Sequence, residues 1–146
     1  MKTIITYSTL TGNTETCVDW IREGLTGAGY TVKVQEAGEV FPSALKNFDL
    51  IILGSPTYWS GDVTDEFIPF LDEMTEVNLS HKKAAVFGLG DSQGYPDEFC
   101  RSVDVIEENL RKCGAELIVE PLKIDGDPED QKELILAWVN QIVERA

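Results

Sequence analysis

One histidine, His81, is all the chain contains. A metal site built from several histidines and a histidine-based triad are therefore set aside. Cysteine is also scarce. Cys17, Cys100 and Cys113 are far apart in sequence, and no CxxC pair occurs. They read as reduced cytosolic thiols rather than a disulfide framework. Basic residues are few: 12 Lys and Arg face 26 Asp and Glu, for a net charge of -14. That balance argues against nucleic acid and against an anionic membrane surface as partners. No apolar run approaches the roughly 20 residues that span a bilayer. Met1 and Lys2 lead straight into a strand-like run, so no secretory leader is expected, and the expected location is the cytoplasm. Repeats, low-complexity tracts and linkers are missing as well. A chain of 146 residues then reads as one domain, 1–146.

What is present is sufficient for a core: 42% of residues are hydrophobic. Strand-like runs cover residues 3–7, 30–35, 50–54, 84–88 and 117–119, the last with a possible continuation over 122–124. Ile4-Ile5, Leu50-Ile51-Ile52-Leu53 and Ala84-Ala85-Val86-Phe87 are continuously apolar, as expected of strands covered on both faces. The second run alternates, Thr31-Val32-Lys33-Val34-Gln35, and the fifth contains Pro121; both features suit edge strands. Helical periodicity covers 14–28, a short stretch at 43–48, then 65–74, 98–113 and 128–143. Alternation of five strands with helices predicts an α/β fold, a doubly wound parallel sheet with right-handed crossovers. With runs two and five at the edges, the strand order is 2-1-3-4-5. In that topology ligands bind beyond the carboxyl ends of the strands, where strands 1 and 3 diverge.

The first of the loops emerging there is Thr9-Leu10-Thr11-Gly12-Asn13-Thr14-Glu15. It joins strand 1 to the first helix. The first N–H groups of a helix have no internal partner and point outward, which suits a phosphate. Thr9, Thr11 and Thr14 add hydroxyl donors, and Gly12 lets the backbone come close. No Lys or Arg lies in the turn, which excludes a Walker-type loop. The spelling fits one phosphate monoester held by neutral donors; an ordinary N-cap loop is the alternative. The second loop, Ser55-Pro56-Thr57-Tyr58-Trp59-Ser60-Gly61-Asp62, follows strand 3. The third, Leu89-Gly90-Asp91-Ser92-Gln93-Gly94-Tyr95-Pro96-Asp97, follows strand 4. Tyr58, Trp59 and Tyr95 on glycine-containing loops suggest a flat ligand held between rings. The glycines at 88, 90 and 94 do not make a dinucleotide fingerprint, being misspaced and placed after the wrong strand.

Taken in order, these three segments, with Glu98-Phe99-Cys100 closing the third, resemble the flavodoxins over essentially the whole chain. With no long insertion in the fifth strand, the resemblance is to the short-chain members. It implies a flavodoxin-like three-layer sandwich, one non-covalently bound FMN, and single-electron carriage between redox proteins, without catalysis of its own. By position, Thr9, Leu10, Thr11, Gly12, Asn13 and Thr14 would hold the phosphate. Pro56 and Thr57 would lead into the inner-face aromatic, either Tyr58 or Trp59. Tyr95 would cover the outer face of the isoalloxazine. Backbone groups of Leu89, Gly90 and Asp91, and of Phe99 and Cys100, would meet the pyrimidine edge, with Asp97 beside them. Peptides of Trp59, Ser60 and Gly61 would lie near N5. The implied partners are a reductase and an acceptor with basic docking faces, drawn by the acidic surface to a monomer. A flavodoxin-like NAD(P)H-dependent quinone or FMN reductase is the alternative; the three rings would fill the room its nicotinamide needs. A receiver domain of the same topology lacks its acidic cluster here, since the first and third strands end in Tyr7-Ser8 and Gly54-Ser55.

Overall fold

β3 (Leu50–Pro56) is the central strand of a parallel sheet in the computed structural model, which describes residues 1–9, 12–57, 63–90, 92 and 100–146. β1 (Lys2–Tyr7) and β4 (Lys83–Gly90) flank it, and β2 (Thr31–Glu36) forms one edge beyond β1. All pairings are parallel, and with β5 (Glu116–Leu117) beside β4 the order β2-β1-β3-β4-β5 is the one expected. α1 (Asn13–Gly27) and α4 (Lys132–Arg145) cover one face; α2 (Phe67–Met74) and α3 (Arg101–Lys112) cover the other.

The continuously apolar runs explain these three layers. Successive strand residues point to opposite faces. Ile5, Ile52, Ala85 and Phe87 therefore join the α1/α4 layer. Ile4, Ile51, Leu53, Ala84 and Val86 join the α2/α3 layer. Full burial of such an aliphatic side chain contributes about 1.5–3 kcal/mol. Both faces of the central strands thus stabilise the fold. Gly54 has a packing reason: a Cβ there would sit 2.1 Å from Phe87 Cζ, its register partner on β4.

The fifth strand differs from the single run expected. β5 (Glu116–Leu117) and β6 (Leu122–Asp125) are separate, and both pair with β4. From Leu117 to Leu122 the chain advances five residues, while β4 advances three, from Ala84 to Phe87. Residues 118–121 bulge because Pro121 has no N–H for the ladder. α4 satisfies the freed carbonyls: Trp138 Nε1 donates to Glu120 O at 2.8 Å, and Arg145 donates to Ile118 O at 3.4 Å. The short helical stretch expected at 43–48 is a 3-10 helix, Pro42–Asn47, and a 3-10 turn at Pro128–Gln131 precedes α4. Among the described residues no helix is long and apolar enough to cross a membrane.

Candidate functional site

The carboxyl ends of β1, β3 and β4 converge on one edge, and backbone bonds draw them together. Ser8 N donates to Gly54 O at 3.1 Å, and Thr57 N donates to Leu89 O at 2.8 Å. Beyond β1 the chain turns sharply. Gly12 is the N-cap of α1 with φ 88° and ψ -7°, a left-handed conformation natural only to glycine and, less so, asparagine. Its N–H donates to Thr9 Oγ1 at 2.9 Å, and its carbonyl accepts from Thr16 N at 3.3 Å. A glycine N-cap offers no side chain to the first-turn amides of Asn13 and Thr14. Those amides carry the positive end of the helix dipole, a feature that favours an anion, and no Lys or Arg lies in the turn. Thr14 is buried in that first turn.

The one acidic side chain of the turn is tied back. Tyr7 Oη donates to Glu15 Oε1 at 3.2 Å. Burial, with the Glu15 charge next, pushes the Tyr7 phenol up to about 12, so it stays a donor across the physiological range. Glu36 and Glu39 cap each other's segment, and Glu66 Oε1 accepts from Gly38 N at 3.0 Å. Burial raises the Glu36 carboxyl above its usual range, with the charges of Glu66 and Glu39 adding to it. This corner of the edge is strongly negative.

Hydroxyls line the bases of the loops. Thr64 Oγ1 donates to Ser8 Oγ at 2.7 Å, Ser8 Oγ to Ser55 Oγ at 3.3 Å, and Ser55 Oγ to Pro56 O at 2.8 Å. Thr57 Oγ1 and Ser102 Oγ are 2.9 Å apart. On the β4 side, Ser92 N donates to Asp125 Oδ1 at 3.0 Å, its hydroxyl bonds the same carboxylate, and Gly126 N donates to Gly90 O at 2.9 Å. The Ser92 bonds hold the Asp125 carboxyl below its usual range. Cys100 begins α3 with φ 50°; its Sγ is fully buried, 3.8 Å from Gly88 O and 3.7 Å from Ile124 O. Burial pushes that thiol up to about 12, so Cys100 offers no thiolate.

The structure thus gathers Thr9, Gly12, Asn13, Thr14, Pro56, Thr57, Leu89, Gly90 and Cys100 around one edge. Leu89 is core, and its carbonyl is already used by Thr57. Leu10, Thr11, Tyr58, Trp59, Ser60, Gly61, Asp91, Tyr95, Asp97 and Phe99 lie outside the described residues. Among the described residues no cluster of His, Cys, Asp and Glu fits a metal ion. The sequence reading placed Ser55 in the second loop without a role of its own and missed Ser8, Thr64, Ser102 and Asp125. Ser8 and Ser55 end apolar runs, which was the one available signal.

The chain is similar to known proteins along nearly its full length. The flavodoxin family profile matches residues 5–138. A flavodoxin of Maridesulfovibrio salexigens is 37% identical over 147 residues, covering 99% of this chain and 98% of its own. The crystal structure of oxidised flavodoxin 1 from Bacillus cereus superposes with TM-score 0.94 at 34% identity, covering 100% of this chain and 99% of that one. A Fusobacterium nucleatum flavodoxin bound to flavin mononucleotide shares the fold at TM-score 0.88 and 22% identity, covering 98% of this chain and 97% of that one.

Proposed function

The chain belongs to the flavodoxin family, and on that premise we propose that it is a single-domain carrier of one non-covalent FMN that passes single electrons between redox proteins. The observation that carries the reading is the Gly12 turn. A left-handed N-cap without a side chain leaves helix amides facing the edge where Thr9 and Thr14 also lie. That donor set, neutral and hydroxyl-rich, fits a phosphate monoester. FMN supplies the redox chemistry when bound. Thr9, Leu10, Thr11, Gly12, Asn13 and Thr14 would seat its phosphate. Tyr95, with Tyr58 or Trp59, would sandwich its ring and exclude water. Backbone of Gly90, Asp91, Phe99 and Cys100 would meet its polar edge, and peptides of Trp59, Ser60 and Gly61 would face N5.

The protein's own charge then acts on the chemistry. Glu15, Glu36, Glu39 and Glu66 crowd one side of the edge, as their mutual effect on Glu36 records. Negative charge there disfavours further negative charge nearby and lowers the potential of a low-potential carrier. The same field draws in a reductase and an acceptor with basic docking faces to a cytoplasmic monomer. Titrating the apoprotein with FMN, riboflavin and inorganic phosphate tests the site. One FMN should bind per chain, more tightly than riboflavin, and phosphate should compete with FMN. Equal affinity for FMN and riboflavin would remove the phosphate seat from the account.

A further inference from the structure

Three buried hydroxyls lie at the bases of the first two loops. Ser8 and Ser55 are 0% exposed and Thr64 is 4% exposed. Their bonds form one line, Thr64 to Ser8 to Ser55 to the Pro56 carbonyl, at 2.7, 3.3 and 2.8 Å. The carbonyl at the end only accepts. Ser55 therefore gives its one proton to Pro56, so it must accept from Ser8. Ser8 in turn must accept from Thr64. The line has a single polarity, and no member has a second proton with which to form another arrangement.

The segments it joins matter. Ser8 stands between β1 and the Gly12 turn. Ser55 and Pro56 close β3 just before residues 57–62. Thr64 follows that loop directly, ahead of α2. The line thus ties the phosphate turn to both ends of the second loop. A branch strengthens the same base: Ser102 Oγ donates to Ser55 O at 3.5 Å and lies 2.9 Å from Thr57 Oγ1, anchoring the loop to α3. We infer that Ser8 is a positioning residue for the flavin ring, closing the base of the second loop onto the phosphate turn through the hydroxyls of Thr64 and Ser55. This rests on the FMN reading above. Removing the Ser8 hydroxyl deprives Thr64 of its acceptor and Ser55 of its donor. A buried polar group that loses its partner forfeits a factor of about ten or more in an equilibrium. Thr57 and Thr64, which bracket the loop, are then held less firmly in the free protein, and binding must restore their placement.

Ser8→Ala, Ser8→Cys and Thr6→Val test this. Thr6 lies two residues earlier, on β1, with a fully buried hydroxyl that has no partner among the described residues, so its removal controls for the loss of a buried hydroxyl in this part of the chain. Apoprotein is titrated with FMN and with riboflavin, followed by quenching of flavin fluorescence. Amide exchange at Thr57, Val63 and Thr64 is measured in the same apoproteins. Ser8→Ala should weaken both ligands by the same factor, about tenfold, and speed exchange at all three amides. Ser8→Cys, retaining a weak donor, should recover part of both effects, and Thr6→Val should show neither. Unchanged binding and exchange in Ser8→Ala overturn the inference, as does loss of FMN alone, which would confine Ser8 to the phosphate turn. If Ser8→Ala does not fold, Thr64→Val breaks the first link and the same outcomes decide. A wild type that binds neither flavin defeats the FMN reading instead, and the exchange comparison then decides whether the hydroxyls close the loop.

Discussion

Replacing Gly12 by alanine isolates the backbone geometry on which the phosphate seat depends. A Cβ at Gly12 would meet nothing within 4 Å among the described residues, so their packing adds no steric cost. What remains is the left-handed conformation at φ 88°, which costs an ordinary residue about 1–2 kcal/mol. Alanine also narrows the unfolded ensemble, offsetting about 0.4–1 kcal/mol of that. The net destabilisation of the apoprotein should be about 1 kcal/mol, or a fall in Tm of roughly 2–4 °C for a chain of this size. Asparagine tolerates the left-handed region, so Gly12→Asn should lose less. If alanine relieves its strain by turning the N-cap, the amides of Asn13 and Thr14 no longer converge. FMN should then weaken about tenfold more than riboflavin, the scale of one charge-assisted hydrogen bond. Gly54→Ala is the contrast. Its Cβ would fall 2.1 Å from Phe87 Cζ, an overpacking cost of about 1–3 kcal/mol or more, with no preference between the two ligands. Thermal melts and paired titrations read both quantities. A Gly12→Ala protein as stable as wild type, or one losing both ligands equally, would refute the reasoning.

Three further outcomes follow from the same structure. Thr6→Val replaces a fully buried hydroxyl without a partner among the described residues by an isosteric apolar group, and should stabilise by about 1 kcal/mol, raising the urea midpoint without changing the m-value. Glu36 has a carboxyl raised above its ordinary 4.5, so the folded state favours its protonated form. Its contribution is present below 4.5 and lost as pH rises through the raised value. Glu36→Gln should therefore be more stable than wild type at pH 7, with the difference vanishing below about pH 4.5; a constant difference across that range would contradict it. Asp65, exposed ahead of α2 on the ligand edge, should serve docking where Glu73, near the far end of α2, does not. Asp65→Lys should slow electron transfer to a basic partner at low salt more than Glu73→Lys, and added salt should shrink the gap.

The fold was legible where burial is two-sided. Leu50-Ile51-Ile52-Leu53 and Ala84-Ala85-Val86-Phe87 announced covered strands because nothing else tolerates such runs in a short segment, and they are fully buried. The alternating Thr31–Glu36 run is an edge strand with a half-exposed face, as its pattern implied. The break in the fifth strand was less legible. Pro121 marked a disturbance, but the two-residue excess depends on carbonyls that Trp138 and Arg145 satisfy from a distant helix. At the site, the turn into α1 could be read because its signals are local: glycine, hydroxyls and a helix start within six positions. The Thr64–Ser8–Ser55 line could not, since its members lie up to 56 residues apart and become neighbours only once β1 and β3 pair. Asp125 was hidden for the same reason, 33 residues from the Ser92 it holds.

Stepwise anaerobic reduction of the FMN-loaded protein, followed by its absorption spectrum, tests the carrier claim most directly. A protein that passes single electrons should show a long-wavelength band that rises to a maximum at one electron per flavin and falls at two. Direct bleaching without that band, accompanied by oxidation of added NAD(P)H, would contradict the carrier account and favour a two-electron reductase.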